Sequence, residues 1–183
     1  MSKFLLSLAA LSVMVIPVVA TEYKLPKKES IFSVKFPDSW KVTQEGDSVE
    51  AFSGDEAVAI WMQTDDASTI DDSMKANIEY LKEQGVRLDQ KTRKDTEGEH
   101  NGMPMSTVSW KGTDAESDCS VSLIFLHPTE DTAITMLYWA TEEEVKKNAK
   151  DIDSVIESMK PLGAAAKKKA KSKEKAKSDD SEK

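Results

Sequence analysis

Three short stretches carry apolar residues at both odd and even positions, and they constrain the fold more than any other feature. They cover residues 57–64 (AVAIWMQT), 123–126 and 134–139. Successive side chains of a strand point to opposite faces of the sheet. A strand with apolar residues at both odd and even positions therefore needs cover on both faces. The sequence therefore predicts a sheet that is buried on both sides.

A stretch near the amino terminus predicts a strand, a tight corner and a second strand. It reads FSVKFPDSWKV, residues 32–42. Apolar and polar residues alternate up to Pro37, which cannot donate a ladder hydrogen bond, and Pro-Asp-Ser is typical of a turn. Trp40 is expected to open the second strand and to pack beneath the sheet, as large aromatic residues mostly do. An exposed aromatic recognition site is the alternative.

Two apolar stripes at helical spacing predict two helices. The first has apolar residues at positions i, i+4, i+8 and i+11, begins at an S-x-x-D pair, Ser68 and Asp71, and stops at Gly85. The second begins at a capping box formed by Thr141 and Glu144, and its stripe continues to residue 159. Such stripes are typical of helices that pack against a core.

The remaining strands complete the predicted order. Residues 86–97 indicate a polar edge strand, and Asn101-Gly102 is a hairpin signal that returns into residues 103–111. Residues 119–127 and 132–140 form a last hairpin. The order of four strands, helix, four strands, helix predicts an α+β fold. We expect a single antiparallel sheet with one long helix on each face, a three-layer α/β/α sandwich.

The chain divides into three parts. Residues 1–20 carry Lys3, an apolar run and small residues before Ala20, which predicts a signal peptide cleaved before Thr21. An uncleaved anchor is the alternative, but the run is shorter than the ~20 residues that a spanning helix needs. Residues 21–162 are the predicted folded domain, and the predicted localisation is periplasmic or secreted.

The charge of the domain differs in sign from that of the last segment. Residues 21–162 hold 16 Lys and Arg against 29 Asp and Glu, a net charge of −13. Residues 163–183 hold 8 Lys against 4 acidic residues, a net charge of +4. This tail has no apolar face, so it predicts a disordered extension or an electrostatic tether to a protein or an envelope polyanion. It lacks stacking aromatic residues, so nucleic acid is not an expected partner.

The sequence predicts no catalytic, cofactor-binding or metal-binding residues. His100, His127 and Cys119 are too few and too scattered for a zinc site. Cys119 is expected to be a buried, inert thiol, with a reactive or intermolecularly paired thiol as the alternative. The acidic segment 113–118 lacks the Gly and Glu of a calcium loop, which leaves only weak divalent binding as a hypothesis.

The stretches FSVKFPDSW and IDSVIESM resemble those of the PsbP-like superfamily, which includes extrinsic photosystem proteins, a Ran-binding import factor and DcrB-like bacterial envelope proteins. Ile152, Val155, Ile156 and Ser158 carry the second motif, and the resemblance covers about residues 30–162. It implies a binding or adaptor domain without catalytic residues, and the predicted leader favours the DcrB-like envelope branch.

The predicted function is therefore that of an exported, non-enzymatic binding or adaptor protein of the bacterial envelope, with a basic tethering tail and no cofactor. Two alternatives stay open because a fold alone does not choose a function. One is a hydrolase whose site is assembled from distant strands. The other is a chaperone-like holder of apolar segments.

Overall fold

The computed structural model describes residues 20–115 and 117–163. The predicted signal peptide, apart from Ala20, and the predicted tail, apart from Gly163, lie outside these residues. The strands and helices are, in chain order, β1 (Ala20–Leu25), β2 (Phe32–Pro37), β3 (Lys41–Glu45), β4 (Ser48–Phe52), β5 (Ala59–Asp66), α1 (Ile70–Glu83), β6 (Arg87–His100), β7 (Met103–Asp114), β8 (Ser117–Leu126), β9 (Thr132–Thr141), α2 (Glu142–Ser158) and β10 (Lys160–Pro161). In the described part of the chain, no helix has the length and apolar character to cross a membrane.

The mixed α+β character and the antiparallel pairing are as predicted, but the single sheet is wrong. Seven strands form one sheet in the order β3-β4-β5-β9-β8-β7-β6, and β1, β2 and β10 form a second, three-stranded sheet. β2 pairs with the preceding strand, β1, and not with the following strand, β3. The chain turns at Pro37, which has no N–H for a forward hairpin, and the Trp40 amide N–H donates to the Pro37 carbonyl at 2.9 Å.

Two apolar clusters lie on opposite faces of the seven-stranded sheet. Ile60 and Met62 of β5 belong to one cluster, and Trp61, between them in sequence, packs against the other. The first cluster also contains apolar residues of β2 and α2, and the second contains apolar residues of α1. The doubly apolar strands are thus covered on both sides, but the predicted three layers are wrong because the small sheet shares one face with α2.

The motif of strand, Pro and Trp joins the small sheet to α2. The ring centroids of Phe36 and Trp40 lie 5.8 Å apart, and Trp40 is only 5% exposed. The Trp40 indole N–H donates to Asp151 of α2 at 3.2 Å. The Ser158 hydroxyl accepts from the Lys35 amide at 2.8 Å. The prediction that Trp40 packs into the core is confirmed, and the motif forms a clamp between β2 and α2.

The two helix starts differ in how well the sequence predicted them. Thr141 and Glu144 form both hydrogen bonds of a capping box at α2. The Ser68/Asp71 pair does not cap α1. Asp66 accepts from the Ser68 amide instead, and it begins a short 3-10 turn over Ala67–Thr69 that precedes α1. Asp66 suits this place because a carboxylate accepts readily from an unpaired amide at the start of a helical turn.

The predicted edge strand and hairpin are confirmed. β6 is the last strand of the seven-stranded sheet, and most of its side chains are exposed. Asn101 and Gly102, which connect β6 and β7, have φ values of 48° and 79°. A two-residue hairpin turn of this kind needs positive φ at both central residues, which Asn and Gly adopt most readily.

Candidate functional site

A bulge in the edge strand builds the candidate site. Asp89 pairs with Lys111 and Lys94 pairs with Ser109, so the four residues 90–93 lie opposite the single residue Trp110. The bulge is held by its own polar groups: the Asp89 carboxylate accepts from the Lys91 amide at 3.0 Å. A bulge bends its strand and redirects side chains, and here it gathers cations at the sheet edge.

The bulge and the neighbouring strands enclose a groove of about 510 Å3, which we call the cationic groove. It contains four cationic side chains, four hydroxyl side chains and two apolar residues, and no carboxylate is among the described residues that line it. The lining residues are Lys91, Thr92, Arg93, Lys94, Ser109, Trp110, Lys111, Ser120, Val121 and Ser122. Ammonium and guanidinium groups are donors only, and hydroxyl groups also donate. The groove is therefore suited to an anion.

Trp110 anchors the cationic groove to the core. It is 2% exposed, and its indole N–H is buried without a hydrogen-bond partner among the described residues. The Arg93 guanidinium lies 5.8 Å from the Trp110 ring centroid, at a distance typical of a cation–π contact. The ring therefore holds one of the cations in place.

Arg93 is partly neutralised from outside the groove. Its guanidinium donates to Asp95 through Nη2 at 2.8 Å and through Nε at 3.0 Å. This hydrogen bond, together with the charge of Arg93, lowers the pKa of Asp95. Lys91, Lys94 and Lys111 form no ion pair among the described residues, so three of the four cations remain available to a ligand.

A larger groove adjoins the cationic groove, with which it shares Lys111 and Ser120. Its volume is about 840 Å3, and its lining has charges of both signs, including Arg87, Asp118 and Glu142. Cys119 also lines it. Because this lining carries its own acids, it offers an anion less than the cationic groove does.

Cys119 is free and buried, as predicted. Burial is the main cause that raises the pKa of its thiol, and the nearby carboxylates of Asp114, Asp118 and Glu144 raise it further. A raised pKa leaves little thiolate at neutral pH, and the thiolate is the nucleophilic form. The structure therefore favours the inert thiol over the reactive one.

The histidines and the acidic segment occupy separate places. His100 precedes the β6–β7 turn, and burial lowers the pKa of His127, which follows β8. Asp114 ends β7, where it accepts from the Trp139 indole N–H at 3.2 Å. No group of three or more His, Cys, Asp or Glu side chains within residues 20–115 and 117–163 is placed to hold a metal ion. The weak divalent site stays a hypothesis, because Glu116 lies outside the described residues.

The cationic groove was not predicted from the sequence, although a signal was present. Residues 91–94 read KTRK, with three cations in four residues, inside a domain of net charge −13. Charges on a predicted edge strand are normally explained by protection against aggregation. Only the bulge, which periodicity does not reveal, brings these cations together with Trp110 and Lys111.

The comparisons with known proteins concern the fold. Neither the models of known families nor the curated proteins gave a match. The solution structure of the cyanobacterial PsbP protein of Synechocystis sp. PCC 6803 matches with a TM-score of 0.55 at 10% identity, over 81% of this chain and 96% of that one.

A second match is a crystal structure from Bacteroides thetaiotaomicron VPI-5482. It has a TM-score of 0.52 and 12% identity over 78% of this chain, and this chain spans 48% of that protein's length. Likeness at such low identity concerns architecture, because unrelated functions share folds. Together with the motifs at both ends of the domain, these matches confirm the predicted resemblance: the chain has the PsbP-like fold.

Proposed function

We propose that the chain is an exported, non-enzymatic binding protein of the bacterial envelope that holds an anionic partner in the cationic groove. The observation that carries this proposal is a groove lined by four cations and no described carboxylate, in a domain of net charge −13. Cations concentrated against an acidic background create a local field that attracts anions. The predicted leader supports the assignment to the envelope.

The acidic background also limits the size of the anion. Salt screens charges beyond about 8 Å at physiological ionic strength, so the groove attracts only what comes close to it. A long polyanion would extend over the acidic remainder of the domain and be repelled by it. A compact anionic group, such as a short acidic segment of a partner protein, fits better. The lysine-rich tail would then supply a second, independent attachment to extended polyanions.

The described surface gives little support to a chaperone-like function. Tyr80, at 40% exposure, is the only large apolar side chain that is exposed among the described residues. A holder of apolar segments needs a contiguous apolar patch of a few hundred Å2. The anionic partner is therefore the better proposal.

The test separates the groove from the tail. In one full-length variant Lys91, Lys94 and Lys111 become Gln, and in another the eight tail lysines become Gln. We expect the groove variant to lose binding of an oligo-aspartate peptide in calorimetry, and the tail variant to lose salt-sensitive retention on anionic vesicles. Equal peptide binding by the groove variant and the wild type would contradict the proposal.

The proposed export is tested by a separate measurement, the position of the amino terminus. Amino-terminal sequencing of the protein recovered from the envelope of an expressing bacterium is expected to begin at Thr21. Recovery of the full chain from the cytoplasm would contradict the proposed localisation.

A further inference from the structure

A second groove lies toward the other end of the seven-stranded sheet, between β4, β5 and α1, and we call it the acceptor groove. Its volume is about 420 Å3. It is lined by two aromatic rings, one carboxylate, two side-chain amides and one alanine. No cation is among the described residues that line it. These are Glu50, Trp61, Gln63, Ala76, Asn77 and Tyr80.

The two amides have their nitrogen atoms committed to the protein. The Gln63 nitrogen donates to the Asp65 carboxylate at 2.8 Å, and the Asn77 nitrogen donates to the Ser73 carbonyl at 2.8 Å. Carboxylates and carbonyls only accept, so the nitrogen of each amide must face them. The two amide oxygens are left as acceptors for a ligand, beside the second N–H of Asn77.

The network behind these amides is anchored in the core. Asp65 also accepts from the hydroxyl groups of Ser73 and Thr135, and both of those residues are buried. Side chains that are held by a second set of hydrogen bonds lose little freedom when a ligand binds. The acceptor groove is therefore organised before any ligand arrives.

The carboxylate and the rings complete the groove. Glu50 is directly opposite Trp61 in the β4–β5 register, and it has no ion-pair or hydrogen-bond partner among the described residues. Tyr80 is packed edge-on against Trp139, with the ring centroids 6.4 Å apart. An unpaired carboxylate thus stands beside the half-buried indole of Trp61, and α1 supplies the exposed ring of Tyr80.

We propose that the acceptor groove binds an organic ammonium group. Aromatic faces attract cations through the ring quadrupole, most strongly for Trp, and a carboxylate adds direct charge attraction. An ammonium group is a donor without acceptor capacity, which matches the Glu50 carboxylate and the oxygens of the two amides.

Two sources could present this ammonium chemistry. One is a lysine side chain, either from a partner or from the tail of this chain, which carries eight lysines. The other is a small free alkylammonium compound. The probes are therefore tetramethylammonium, n-butylamine and a peptide of residues 167–183, with neopentyl alcohol as an uncharged control of similar shape.

The experiment uses the full chain and its nuclear magnetic resonance spectrum. We expect tetramethylammonium and n-butylamine to shift the Trp61 indole resonance saturably in the millimolar range, with no saturable shift from neopentyl alcohol. Glu50→Gln and Tyr80→Leu are each expected to weaken binding about five- to thirty-fold. Glu45→Gln, at an exposed carboxylate on β3, is the matched control and is expected to bind like the wild type.

Two results would overturn the proposal: equal shifts from the alcohol and the cations, or unchanged affinity in Glu50→Gln. The tail peptide and the variant without tail lysines then show which molecule supplies the ammonium group. Tighter tetramethylammonium binding in a variant whose tail lysines are Gln would assign the tail as the occupant. Equal affinity with and without tail lysines, together with saturable binding, would assign a partner's lysine or a free ammonium compound.

Discussion

The cationic groove and the acceptor groove lie toward opposite ends of the same seven-stranded sheet, and they differ in the sign of their polar groups. The cationic groove offers lysines, an arginine and hydroxyl groups along β6, β7 and β8. The acceptor groove offers a carboxylate and amide oxygens along β4, β5 and α1. A sheet whose two ends have opposite polarity can hold two unlike ligands at once.

The two grooves also differ in what holds their side chains. In the acceptor groove, α1 covers the strands and a buried network around Asp65 orients the amides. In the cationic groove, Lys91 and Arg93 stand on a strand bulge at the exposed edge, and the buried Trp110 links the groove to the core. The difference indicates that one site is preorganised by the core, whereas the other adapts at the edge.

The largest effect on stability should come from replacing Trp110, which links the cationic groove to the core. Trp110→Ala is expected to lower the free energy of unfolding by about 3–5 kcal/mol, because it leaves a cavity beneath the bulge. Trp110→Phe is the control, since it keeps a ring and removes only the unpaired indole N–H. Denaturant unfolding measures both variants. A small loss in Trp110→Ala would show that the cationic groove does not depend on the core.

Asp65→Ala should have the next largest effect, at the other end of the sheet. The substitution leaves Ser73, Thr135 and Gln63 without their shared acceptor, which should cost about 2–3 kcal/mol of stability. It should also weaken ammonium binding, while oligo-aspartate binding stays unchanged. Asp71→Asn, in the first turn of α1, is the control. Loss of both binding activities would show that the two ends are coupled.

Tyr138, on β9 between the two ends, provides a smaller effect. Its hydroxyl group is buried without a partner among the described residues, so Tyr138→Phe should stabilise the protein by up to about 1 kcal/mol. Burial, with a smaller effect of Glu144, raises the pKa of Tyr138 to about 12 from its ordinary value of 10.0.

The raised pKa has a consequence for stability at alkaline pH. Between these two values the unfolded tyrosine loses its proton and the folded one keeps it, so the folded state binds more protons and stability falls as pH rises. The contribution is complete below about pH 10 and lost through about pH 12. Denaturant unfolding across this range should show a shallower decline in Tyr138→Phe. Identical declines would contradict the prediction.

The smallest effect on stability is expected for Asp95→Asn. This exposed carboxylate pairs with Arg93 from outside the cationic groove, so its removal frees a fourth cation. We expect oligo-aspartate affinity to rise several-fold, with an increase that shrinks at high salt. Glu99→Gln, farther along the same strand, is the control. Weaker binding in Asp95→Asn would mean that Asp95 positions Arg93 rather than neutralising it.

Local features of the chain were predictable because they rest on local chemistry. Thr141 and Glu144 satisfy amides within one helical turn, and Asn101-Gly102 supplies positive φ wherever it stands. The sequence also showed that β5, β8 and β9 need cover on both faces. Their apolar side chains point to both sides of the sheet, whichever element packs against them. The burial of Cys119 was predicted because free Cys is among the most buried residue types.

The pairing of β2 was not predictable in this way. Its alternation predicts a strand and a buried face, but not whether β1 or β3 supplies the hydrogen bonds. The outcome depends on Trp40, which contacts Asp151, 111 residues farther along the chain. A contact over that separation has no local sequence pattern, so the second sheet could be found only in three dimensions.

By itself, the sequence determined eight strands, both helices and the need for two covered faces, because each follows from periodicity or from hydrogen bonds within a few residues. It did not predict β1 or β10, which pair with β2 in the small sheet. Tertiary structure alone decided that the ten strands of the described residues divide into two sheets, that a bulge brings Lys91 and Arg93 to Trp110, and that Gln63 and Asn77 face one groove. These depend on contacts between residues far apart in the chain, where packing chooses among pairings that are locally equivalent.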